Sequence, residues 1–569
     1  MKNKEIALIF KDIADILEIK GANVFRIRAY QRAAQNLQGL SRGIEEYSRE
    51  GKLSDIPGIG EDLASKINEY IDSGKIEFYE KLKKSIPAGL SDLLNVPGIG
   101  PKTAKLLYHK RGIKDVPGLT RAIAADKLKG LAGIKEKTIE NIQKNIQIYQ
   151  SAKEKMTLAE AIGQAQELLE PLRKLPSVEK VIAAGSLRRC KETVRDIDLL
   201  AVSRRPQELM SAFVKLPRVA RVLANGTTKS AIRTASGAQV DLRVVDKRSF
   251  GSALVYFTGS KNFNIKLRVM GQKLGLKVNE YGIFKKDKYI CGATEEEVFK
   301  KLGLAYIEPE LREDNGEIEL AKENKLPRLV ELKDLRGDLH VHSIWSDGGN
   351  TIEAMAQAAQ QRGYDYIAIT DHSQGLKVAN GLSVAELKKK KAEIEKINQA
   401  LKNLRVLFAT EVDIDVNGKL DYSDAVLKEF DLVVAAVHSN FKLPKDKMTK
   451  RLIRACENKY VNIIAHPTGR LFGVREPSEV DFKELFKVAK DTNTHMEVSS
   501  FSNRMDLNDL NCRLAVDMGV KVAINTDSHL TEHLAAMSLG VSVARRGWLE
   551  KKDVINTRPL AELLKIIKK

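Results

Sequence analysis

The stretch that decides the fold reads Gly185-Ser-Leu-Arg-Arg-Cys-Lys-Glu-Thr-Val-Arg-Asp-Ile-Asp-Leu-Leu200. It contains a turn of small residues, a pair of arginines, and two aspartates one residue apart. The apolar runs on either side of it, at 181–184 and 199–202, are typical of buried strands. Because side chains alternate between the faces of a strand, we expect Asp196 and Asp198 to point the same way.

These two acids predict a metal site. Neighbouring carboxylates repel each other unless cations lie between them, which favours Mg²⁺. A third acid, Asp241, lies in another strand-like run at 239–245, and three carboxylates holding two metals suit an in-line phosphoryl displacement. The turn and the arginines Arg188 and Arg189 offer donors for a triphosphate. Two such acids alone would more often be solvated strand-end groups, but the turn, the arginines and the third acid together favour the metal site.

Length and composition indicate a multidomain globular protein. The chain has 569 residues, with 43% hydrophobic and 30% charged residues, as expected for several domains that each bury a core. No apolar run approaches the ~18 residues that a membrane span requires, and the first residues lack the apolar core of a signal peptide. The four scattered cysteines form no disulfide or metal-binding spacing, which predicts a reducing, cytoplasmic location.

The net charge of +20 is unevenly distributed. Residues 1–310 contain 55 Lys and Arg against 37 Asp and Glu, whereas residues 311–569 contain 40 against 38. A basic first part fused to a nearly neutral second part indicates a protein that binds a phosphate backbone. Excess lysine can also serve solubility, so the asymmetry supports this interpretation without deciding it.

A short motif recurs in the first 150 residues. Leu53-Ser-Asp-Ile-Pro-Gly-Ile-Gly60 returns as Leu93-Leu-Asn-Val-Pro-Gly-Ile-Gly100, and a degenerate copy is Leu128-Lys-Gly-Leu-Ala-Gly-Ile134. Each copy predicts two helices joined by a Gly-rich turn. Backbone amides at the start of the second helix can bind a phosphate without reading bases. A plain helical hairpin capped by Gly is the alternative, but two nearly identical copies in a basic region favour DNA binding.

All but one of the nine histidines lie past residue 335, where predicted strands alternate with helices. Six apolar strands there end in His, Asp or Glu, and such strand ends converge on one rim of an α/β barrel. This pattern predicts a metal centre, whereas His109, His495 and His533 lack the setting and are expected to be ordinary histidines. The candidate ligands are His340, His342, Asp347, His372, Glu411, His438, His466, Asp527 and His529.

The stretch at 185–200 resembles the nucleotidyltransferase signature of family X DNA polymerases, the polymerase beta group, and Tyr256-Phe-Thr-Gly-Ser260 resembles a second element of that family. The resemblance implies that Asp196, Asp198 and Asp241 are catalytic and bind two Mg²⁺ or Mn²⁺ ions. It implies a preference for deoxynucleotides, because backbone at the aromatic pair obstructs a 2′-hydroxyl. It also implies nucleotide binding by Gly185, Ser186, Arg189, Tyr256, Phe257, Gly259 and Asn264, and template-strand contact by Arg268.

The hairpins resemble helix-hairpin-helix motifs, which implies DNA-backbone binding through Gly58, Gly60, Gly98, Gly100 and Lys102. Alignment of the first hairpin places Lys66 at the position of a lysine that, in some family members, excises deoxyribose phosphate through a Schiff base. That chemistry needs a neutral amine, and Asp62 stands where the animal enzymes have a basic residue. A simple phosphate contact is the alternative role of Lys66.

The match to the polymerase family has three departures. Arg195 stands where the animal enzymes have Gly, immediately before the first catalytic acid, and Cys190 replaces a Gly after the arginine pair. Gln239 replaces an arginine that normally restrains an aspartate. The loss of this arginine puts in question how the resting state of the site is held, and it leaves metal binding intact.

The histidine-rich part resembles the polymerase and histidinol phosphatase (PHP) domain, and all nine ligand positions are filled. The resemblance implies one metal bound by His340, His342, Glu411 and Asp527. A second would be bound by His438 and His466 with Glu411 bridging, and a third by Asp347, His372 and His529. Mixed nitrogen and oxygen ligands suit Mn²⁺ or Zn²⁺. The implied activity is a 3′→5′ exonuclease that cleans 3′ ends and sometimes incises abasic sites.

The predicted fold class is multidomain α+β and α/β: helical helix-hairpin-helix domains, a nucleotidyltransferase palm with a mixed sheet, and a distorted (βα)7 PHP barrel. The predicted domains are 1–85 (helical, with the first hairpin), 86–150 (further hairpins), 151–245 (palm), 246–311 (nucleotide selection), 312–334 (linker) and 335–569 (PHP). The predicted partners are gapped or nicked double-stranded DNA and deoxynucleoside triphosphates, with no membrane, for a cytoplasmic monomer.

The leading hypothesis is therefore a DNA polymerase that fills short gaps in base-excision repair and carries its own 3′→5′ nuclease. One alternative is a DNA-end-processing nuclease with a vestigial palm, which the intact acid trio argues against. Another is a phosphatase of small metabolites, which would leave the basic first half without a purpose.

Overall fold

The computed structural model describes residues 3–38, 44–56, 58–87, 89–94, 96, 98–131, 134, 136–153 and 155–567. The chain divides into two compact units. The first comprises Met1–Lys153 with His342–Met355 and Gly473–Glu476, and the second comprises the remaining residues. Pro57, Asn95, Pro97, Ala132 and Gly133 of the repeated motif lie outside the described residues.

The first unit is helical. Its N-terminal helix has apolar residues at helical spacing, and Ile6, Phe10, Ile13 and Leu17 are buried in one core. The helices are α1 (Asn3–Lys20), α2 (Val24–Gln38), α3 (Ile44–Arg49), α4 (Glu61–Ser73), α5 (Glu77–Lys84), α6 (Leu90–Leu94), α7 (Pro101–Arg111), α8 (Val116–Ala124) and α9 (Glu136–Lys153).

The two Gly-Ile-Gly turns adopt the same conformation. Gly58 and Gly98 have φ of 79° and 86°, a left-handed conformation that glycine adopts without strain. Gly60 and Gly100 are the N-caps of α4 and α7, each with φ −86° and no side-chain cap. The degenerate third copy keeps one hydrogen bond of these turns, in which the amide of Ile134 donates to the carbonyl of Leu131. The predicted repeat of hairpins is therefore confirmed for the residues that the structure describes.

The second unit begins with the palm, here residues 155–245. Its elements are β1 (Met156–Thr157), α10 (Leu158–Arg173), β2 (Val178–Ala183), α11 (Gly185–Arg188), β3 (Thr193–Val194), β4 (Asp196–Ser203), α12 (Pro206–Val214), β5 (Val219–Asn225), β6 (Lys229–Thr234) and β7 (Gln239–Val244). The main sheet has the order β2-β4-β7-β6-β5, and β4 and β7 are parallel whereas the other pairs are antiparallel. The two strands predicted on either side of 185–198 are confirmed as β2 and β4.

The next part of the second unit, the α13–α16 subdomain, spans residues 246–322. Its elements are α13 (Phe250–Thr258), α14 (Lys261–Lys273), β8 (Lys277–Asn279), β9 (Gly282–Lys285), β10 (Lys288–Cys291), α15 (Glu295–Lys301) and α16 (Glu317–Lys322). Helix α16 falls within the segment predicted to be a linker. Ile318 and Ala321 are buried in the core of this subdomain, because apolar residues at helical spacing are present within the charged sequence.

This core also receives residues from far along the chain. Leu329 and Trp548 are buried in the same cluster as Phe263 and Phe299 of α14 and α15. The backbone of Val330 donates a hydrogen bond to the carbonyl of Leu549 over 2.9 Å. The C-terminal part of the chain therefore completes the core of the α13–α16 subdomain.

The rest of the second unit is an α/β barrel. The strands are β11 (Gly337–Val341), β12 (Tyr366–Ile369), β13 (Arg405–Asp413), β14 (Leu432–Ala436), β15 (Ile463–Ile464), β16 (His495–Ser499) and β17 (Val522–Asn525). The helices from this part of the chain are α17 (Ile352–Gln361), α18 (Val384–Ala400), α19 (Asp424–Leu427), α20 (Lys445–Glu457), α21 (Phe482–Asp491), α22 (Asp509–Asp517), α23 (Met537–Arg546) and α24 (Leu560–Ile567).

The seven strands lie in sequence order in one parallel sheet. The sheet nearly closes, since Val341 forms a parallel bridge with Ser528 and the Asn525 side chain accepts from the amide of Leu339. Strands buried on both faces are nearly continuous apolar runs, and Leu432–Ala436 is an example that is buried throughout. The predicted distorted barrel is confirmed, and its closure brings the carboxyl ends of the strands to one rim.

Among the described residues, no helix is long and apolar enough to cross a membrane.

Candidate active sites

The first candidate site is built on the parallel strands β4 and β7. Asp198 and Asp241 lie opposite each other in register. Asp196 lies two residues before Asp198, and the intervening Ile197 is buried, so the two acids share the other face of β4 as predicted. The structure thus brings together the three predicted acids.

The electrostatics of this site match a cation-binding role. Burial, followed by the charges of Asp241 and Asp196, raises the pKa of Asp198 to about 6, against the opposing effect of Arg243 and Arg189. The turn before the acids is closely packed, because Gly185 has φ of 62° and a Cβ there would collide with the Asp198 carboxylate. A divalent cation would relieve the repulsion among the three carboxylates.

The two arginines of the turn have different environments. Arg188 makes a bidentate ion pair with Glu295, with N–O distances of 2.8 and 2.6 Å. Arg189 is buried, and its Nε donates to Glu313 over 2.9 Å while its Nη1 donates to the carbonyl of Thr258. Both guanidinium groups are therefore engaged by protein groups, and a triphosphate would have to compete with Glu313 for Arg189.

The predicted nucleotide-selection residues lie on α13 and α14. The rings of Tyr256 and Phe257 make an edge contact at 5.1 Å between centroids, and the Nδ2 of Asn264 donates to the carbonyl of Tyr256 over 2.7 Å. Gly259 ends α13 next to Arg189, whose Nη1 would lie 3.1 Å from a Cβ at that position. These residues and Ser186 belong to the same unit as the acids, and Arg268 on α14 is exposed.

The three departures from the family have distinct environments. Cys190 adopts a left-handed φ of 53°, the conformation that a glycine would take most easily. Burial raises the pKa of its thiol to about 11. The Nε2 of Gln239 lies 3.4 Å from the Asp241 carboxylate, so an uncharged amide takes the place of the family arginine. Arg195 is exposed.

The predicted DNA-binding residues of the hairpins are at the surface. Gly58, Gly60, Gly98, Gly100 and Lys102 are all exposed. A Cβ at Gly60 or Gly100 would meet no atom within 4 Å among the described residues. The first turns of α4 and α7 therefore present accessible backbone amides.

Lys66 lies on α4 and is largely buried, with 13% of its side chain exposed. Its Nζ forms an ion pair with Asp62 and lies 5.5 Å from the centre of the Phe78 ring. Arg26 lies over the same ring at 4.9 Å. The aligned lysine thus combines partial desolvation with a neighbouring acid.

The second candidate site surrounds Glu411 at the end of β13. The Glu411 side chain is fully buried. Its Oε2 lies 2.9 Å from Nδ1 of His372 and 3.4 Å from Nε2 of His340. Its Oε1 lies 3.1 Å from Nε2 of His466 and 3.2 Å from Nε2 of His438. Two ligands of one metal ion, each about 2 Å from it, are separated by about 3 Å, so these distances suit a carboxylate that shares metal ions with the histidines.

Asp527 and His529 follow β17 at the same rim. His340, His466 and Asp527 each offer a ligand atom within 4.8 Å of the others, and so do His372, Glu411 and His438. The His372 and His529 rings are 6.4 Å apart. The remaining predicted ligands belong to the first unit, in which Nδ1 of His342 lies 3.9 Å from Oδ1 of Asp347.

Two further acids lie at the second ring nitrogen of histidines that are predicted metal ligands. Nδ1 of His340 lies 2.8 Å from Glu497, and Nδ1 of His438 lies 3.0 Å from Asp413. Carboxylates at the second nitrogen of a histidine ligand fix its tautomer and orientation. Sequence reasoning missed both, because Glu497 lies inside the apolar strand β16 and Asp413 follows the ligand Glu411 on β13.

The charges of this cluster depend on each other. Burial alone would lower the pKa of His340, but Glu497, Glu411 and Asp527 raise its pKa well above the usual value. Burial alone would raise the pKa of Glu411, yet His372, His340 and His438 hold it well below its usual range. Burial and then Arg504 lower the pKa of His466, which favours the neutral imidazole that a metal requires.

The residues present fit a metal centre. The donors are imidazole nitrogens and carboxylate oxygens, a mixture that suits Mn²⁺ or Zn²⁺. The Nδ1 of His466 is buried and has no hydrogen-bond partner among the described residues, an arrangement that is costly unless another group satisfies the nitrogen. None of the metal-capable groups found in the described part of the chain includes His109, His495 or His533.

The chain matches four family models. They are a helix-hairpin-helix domain over residues 1–76, a SAM-like helix-hairpin-helix tandem over 90–147, a DNA polymerase beta thumb over 253–313 and a PHP domain over 338–500. The thumb match falls on the α13–α16 subdomain, and the PHP match falls on the barrel that holds the second site.

Three relatives show which parts of the chain are similar to known proteins. The DNA polymerase/3′-5′ exonuclease PolX of Bacillus subtilis (strain 168) is 39% identical over 573 residues, 100% of both chains. DNA polymerase lambda of Rattus norvegicus is 26% identical over 51% of this chain and 52% of its own. A protein of Thermoanaerobacter sp. (strain X514) called a probable phosphatase is 30% identical over 39% of this chain and 89% of its own. The chain therefore belongs to the PolX-type family X DNA polymerases with a C-terminal PHP domain.

Proposed function

We propose that this protein is a DNA-directed DNA polymerase that fills short gaps in base-excision repair and carries a metal-dependent 3′→5′ exonuclease in its PHP barrel. The observation that carries the synthetic activity is the apposition of Asp198 and Asp241 in register, with Asp196 on the same face. The end-to-end similarity to a DNA polymerase/3′-5′ exonuclease supports the pairing of the two activities on one chain.

At the polymerase site, bound Mg²⁺ or Mn²⁺ ions supply charge neutralisation of the triphosphate and acidify the primer 3′-hydroxyl. Asp196 and Asp198 would hold both ions, and Asp241 would hold the ion near the primer 3′-oxygen. Asp241 would also help to take the proton from the 3′-hydroxyl, and the oxygen would form a bond to the α-phosphate as the bond from that phosphate to pyrophosphate breaks. Gly185 and Ser186 would bind the triphosphate through the turn.

Arg189 would bind the triphosphate after exchanging Glu313 for a phosphate oxygen. A guanidinium binds phosphate bidentately as well as it binds a carboxylate. The sugar would lie on Tyr256 and Phe257, with Gly259 beside it, and the backbone at the aromatic pair would obstruct a 2′-hydroxyl. Asn264 would contact the minor-groove edge of the incoming base, and Arg268 the template strand.

The helical hairpins would hold gapped or nicked DNA by its backbone. Exposed amides at Gly58, Gly60, Gly98 and Gly100 would bind phosphates without reading sequence, together with Lys102. Lys66 would attack the sugar of a 5′-deoxyribose phosphate, provided that its amine is released from Asp62.

At the barrel site, bound Mn²⁺ or Zn²⁺, up to three ions, supplies an acidified water and neutralises the phosphodiester. Glu411 would bridge two ions, one of them with His340, His342 and Asp527 and the other with His438 and His466. Asp347, His372 and His529 would hold a third ion. Glu497 and Asp413 would orient His340 and His438. The products would be a nucleotide and a shortened 3′ end, and abasic-site incision belongs to the same chemistry.

The proposed partners are DNA and deoxynucleoside triphosphates. A cytoplasmic monomer fits the four scattered cysteines, which have no disulfide spacing, and the two sites on one chain.

A pair of variants tests this function. On a gapped duplex, Asp196→Ala is expected to abolish extension and keep 3′ trimming, whereas His340→Ala is expected to abolish trimming and keep extension. Both proteins are compared with the wild type in the same Mn²⁺ buffer, with thermal unfolding as the check on folding. A wild type that trims but does not extend would indicate an end-processing nuclease with a vestigial palm.

A phosphatase activity is the second candidate, because the relative from Thermoanaerobacter carries that name. Turnover of p-nitrophenyl phosphate and of a 3′-recessed duplex by the wild type separates the two. Efficient turnover of the small ester alone would favour the phosphatase.

A further inference from the structure

A short palm segment, Arg189–Glu192, is bound at both ends by arginines of the barrel. The guanidinium of Arg470 makes two bonds to the Glu192 carboxylate, of 3.2 and 2.7 Å. At the other end, Nη1 of Arg546 donates to the carbonyl of Arg189 over 2.8 Å and to Glu313 over 3.1 Å. The segment that carries Arg189 of the polymerase site is thus also a contact surface of the barrel.

Arg470 continues this contact into the barrel. Its Nε donates to the carbonyl of Arg504 over 2.8 Å, and its Nη2 also donates to the carbonyl of Met505. The same guanidinium therefore binds Glu192 on the palm and two adjacent carbonyls on the barrel. With 10% of its side chain exposed, Arg470 is the buried partner of the pair.

The loop held by Arg470 reaches the metal cluster. Nη2 of Arg504 lies 3.7 Å from Oδ2 of Asp527, a proposed metal ligand, and 17% of the Arg504 side chain is exposed. The amides of Arg504 and Met505 both donate to the carbonyl of Phe501, so the loop is a hydrogen-bonded turn. A displacement of this turn would move the Arg504 guanidinium relative to Asp527.

We propose that Arg470 is a positioning residue of the nuclease site and that Glu192 of the palm orients it, so that the palm sets the position of Arg504 beside Asp527. The inference rests on the nuclease activity of the proposed function. Glu192 is partly exposed, with 34% of its side chain accessible, so solvent screens the ion pair and limits what it adds to stability. The pair is better suited to fixing the Arg470 geometry than to holding the two domains together.

A double-mutant cycle on the full-length protein tests the proposal. The variants are Glu192→Gln, Arg470→Lys and the combination of the two. Glu179→Gln is the matched control, because Glu179 pairs with Arg204 of the palm and Lys247 of the α13–α16 subdomain, away from the barrel. The first readout is kcat and KM for trimming a 3′-recessed duplex in Mn²⁺. The second is hydrogen–deuterium exchange at the amides of Arg504 and Met505, which does not depend on activity.

We expect Glu192→Gln to lower kcat/KM for trimming roughly twofold to thirtyfold, the range for residues that act through a coupling network. In the Arg470→Lys background, Glu192→Gln should have almost no additional effect. Both single variants should accelerate exchange at residues 504 and 505, since the turn loses its anchor, and Glu179→Gln should change neither readout.

Three results would overturn the inference. The first is trimming by Glu192→Gln at the wild-type rate. The second is a double variant whose loss of kcat/KM equals the product of the two single losses. The third is unchanged hydrogen–deuterium exchange at residues 504 and 505. A wild type that does not trim DNA would instead overturn the proposed nuclease, and the inference with it. Equal melting temperatures of the variants in EDTA separate positioning from loss of folding.

Discussion

Asp198 on β4 and Asp241 on β7 lie opposite each other in register across a parallel strand pair. With Asp196 on the same face, they form a carboxylate cluster in which the pKa of Asp198 rises to about 6 through burial and the two neighbouring charges. The three carboxylates of the folded protein therefore repel one another, and a bound cation would remove this repulsion. Functional sites commonly lower the stability of a protein in this way.

Asp241→Asn is expected to stabilise the metal-free protein while abolishing synthesis. An acid whose folded pKa is raised destabilises the fold above its unfolded pKa, and the cost is fully present above about pH 6. Relieving about 1 kcal/mol of it would raise the melting temperature in EDTA by roughly 1–2 °C, because the shift becomes smaller as the cooperative unit becomes larger. The difference should disappear as the pH falls towards 4, where Asp198 is protonated in both proteins.

Primer extension on a gapped duplex and thermal unfolding at pH 7 and pH 4 measure these effects. Extension by Asp241→Asn should fall by more than about 100-fold, since even changes to groups behind the ligands cost 10–100-fold. Asp287→Asn, in the exposed turn between β9 and β10, is the control. Extension at the wild-type rate would refute the role of Asp241.

Glu497→Gln is expected to weaken the barrel metal site. Glu497 accepts from the ring of His340 and from the amide of His466 over 2.7 Å, so it orients two proposed ligands. Loss of its charge should reduce Mn²⁺ affinity or trimming by roughly 10–100-fold. Electron paramagnetic resonance of free Mn²⁺ during a titration measures the affinity. Glu429→Gln, an exposed acid of the barrel, should titrate like the wild type, and an equal affinity for Glu497→Gln would contradict the assignment.

Glu295→Gln is expected to destabilise the joint between the palm and the α13–α16 subdomain. Burial alone would raise the pKa of Glu295, but Arg188 and Arg312 outweigh it and lower the pKa to about 2. Arg312 is fully buried, so removing the charge would leave two desolvated guanidinium groups poorly paired. Breaking a buried ion pair in this way costs about 3–5 kcal/mol.

The lowered pKa of Glu295 determines how the stability of the protein changes with pH. A lowered folded pKa means that the contribution of Glu295 is present above the unfolded value of about 4.5 and is lost as the pH falls towards 2. Urea unfolding at pH 7 and pH 3 should therefore show a smaller difference between wild type and Glu295→Gln at the lower pH. Glu296→Gln, at an exposed neighbouring position, is the control, and a constant difference would disprove the linkage.

Lys66→Arg is expected to remove any covalent trapping of a 5′-deoxyribose-phosphate end by borohydride. An arginine keeps the positive charge and the contact with Asp62 but cannot form the Schiff base. Denaturing gel electrophoresis of the trapped complex is the measurement. Lys81→Arg, which changes an exposed lysine paired with Glu77, should trap as the wild type does. If Lys66→Arg is trapped as much as the wild type, the lyase belongs to another amine. If the wild type itself is not trapped, Lys66 is a phosphate contact.

The sequence predicts the parts of both sites that depend on local periodicity. The alternation of strand side chains places Asp196 and Asp198 on one face, and apolar strands that end in His, Asp or Glu identify the barrel rim. The engagement of Arg189 by Glu313 is a tertiary contact between residues 124 positions apart, and no local pattern encodes it. Helix α16 was missed because charged residues dominate its sequence, although Ile318 and Ala321 are buried.

The burial of Trp548 in the core of the α13–α16 subdomain limits how this chain can be divided. A fragment that ends after Glu313 would lose Ile318, Leu329 and Trp548 from that core, and it would expose the apolar surface that they cover. The barrel is consequently not an appendage that can be removed from an autonomous polymerase. Insertion, deletion or exchange of the C-terminal part during evolution or engineering would require simultaneous repacking of the α13–α16 subdomain.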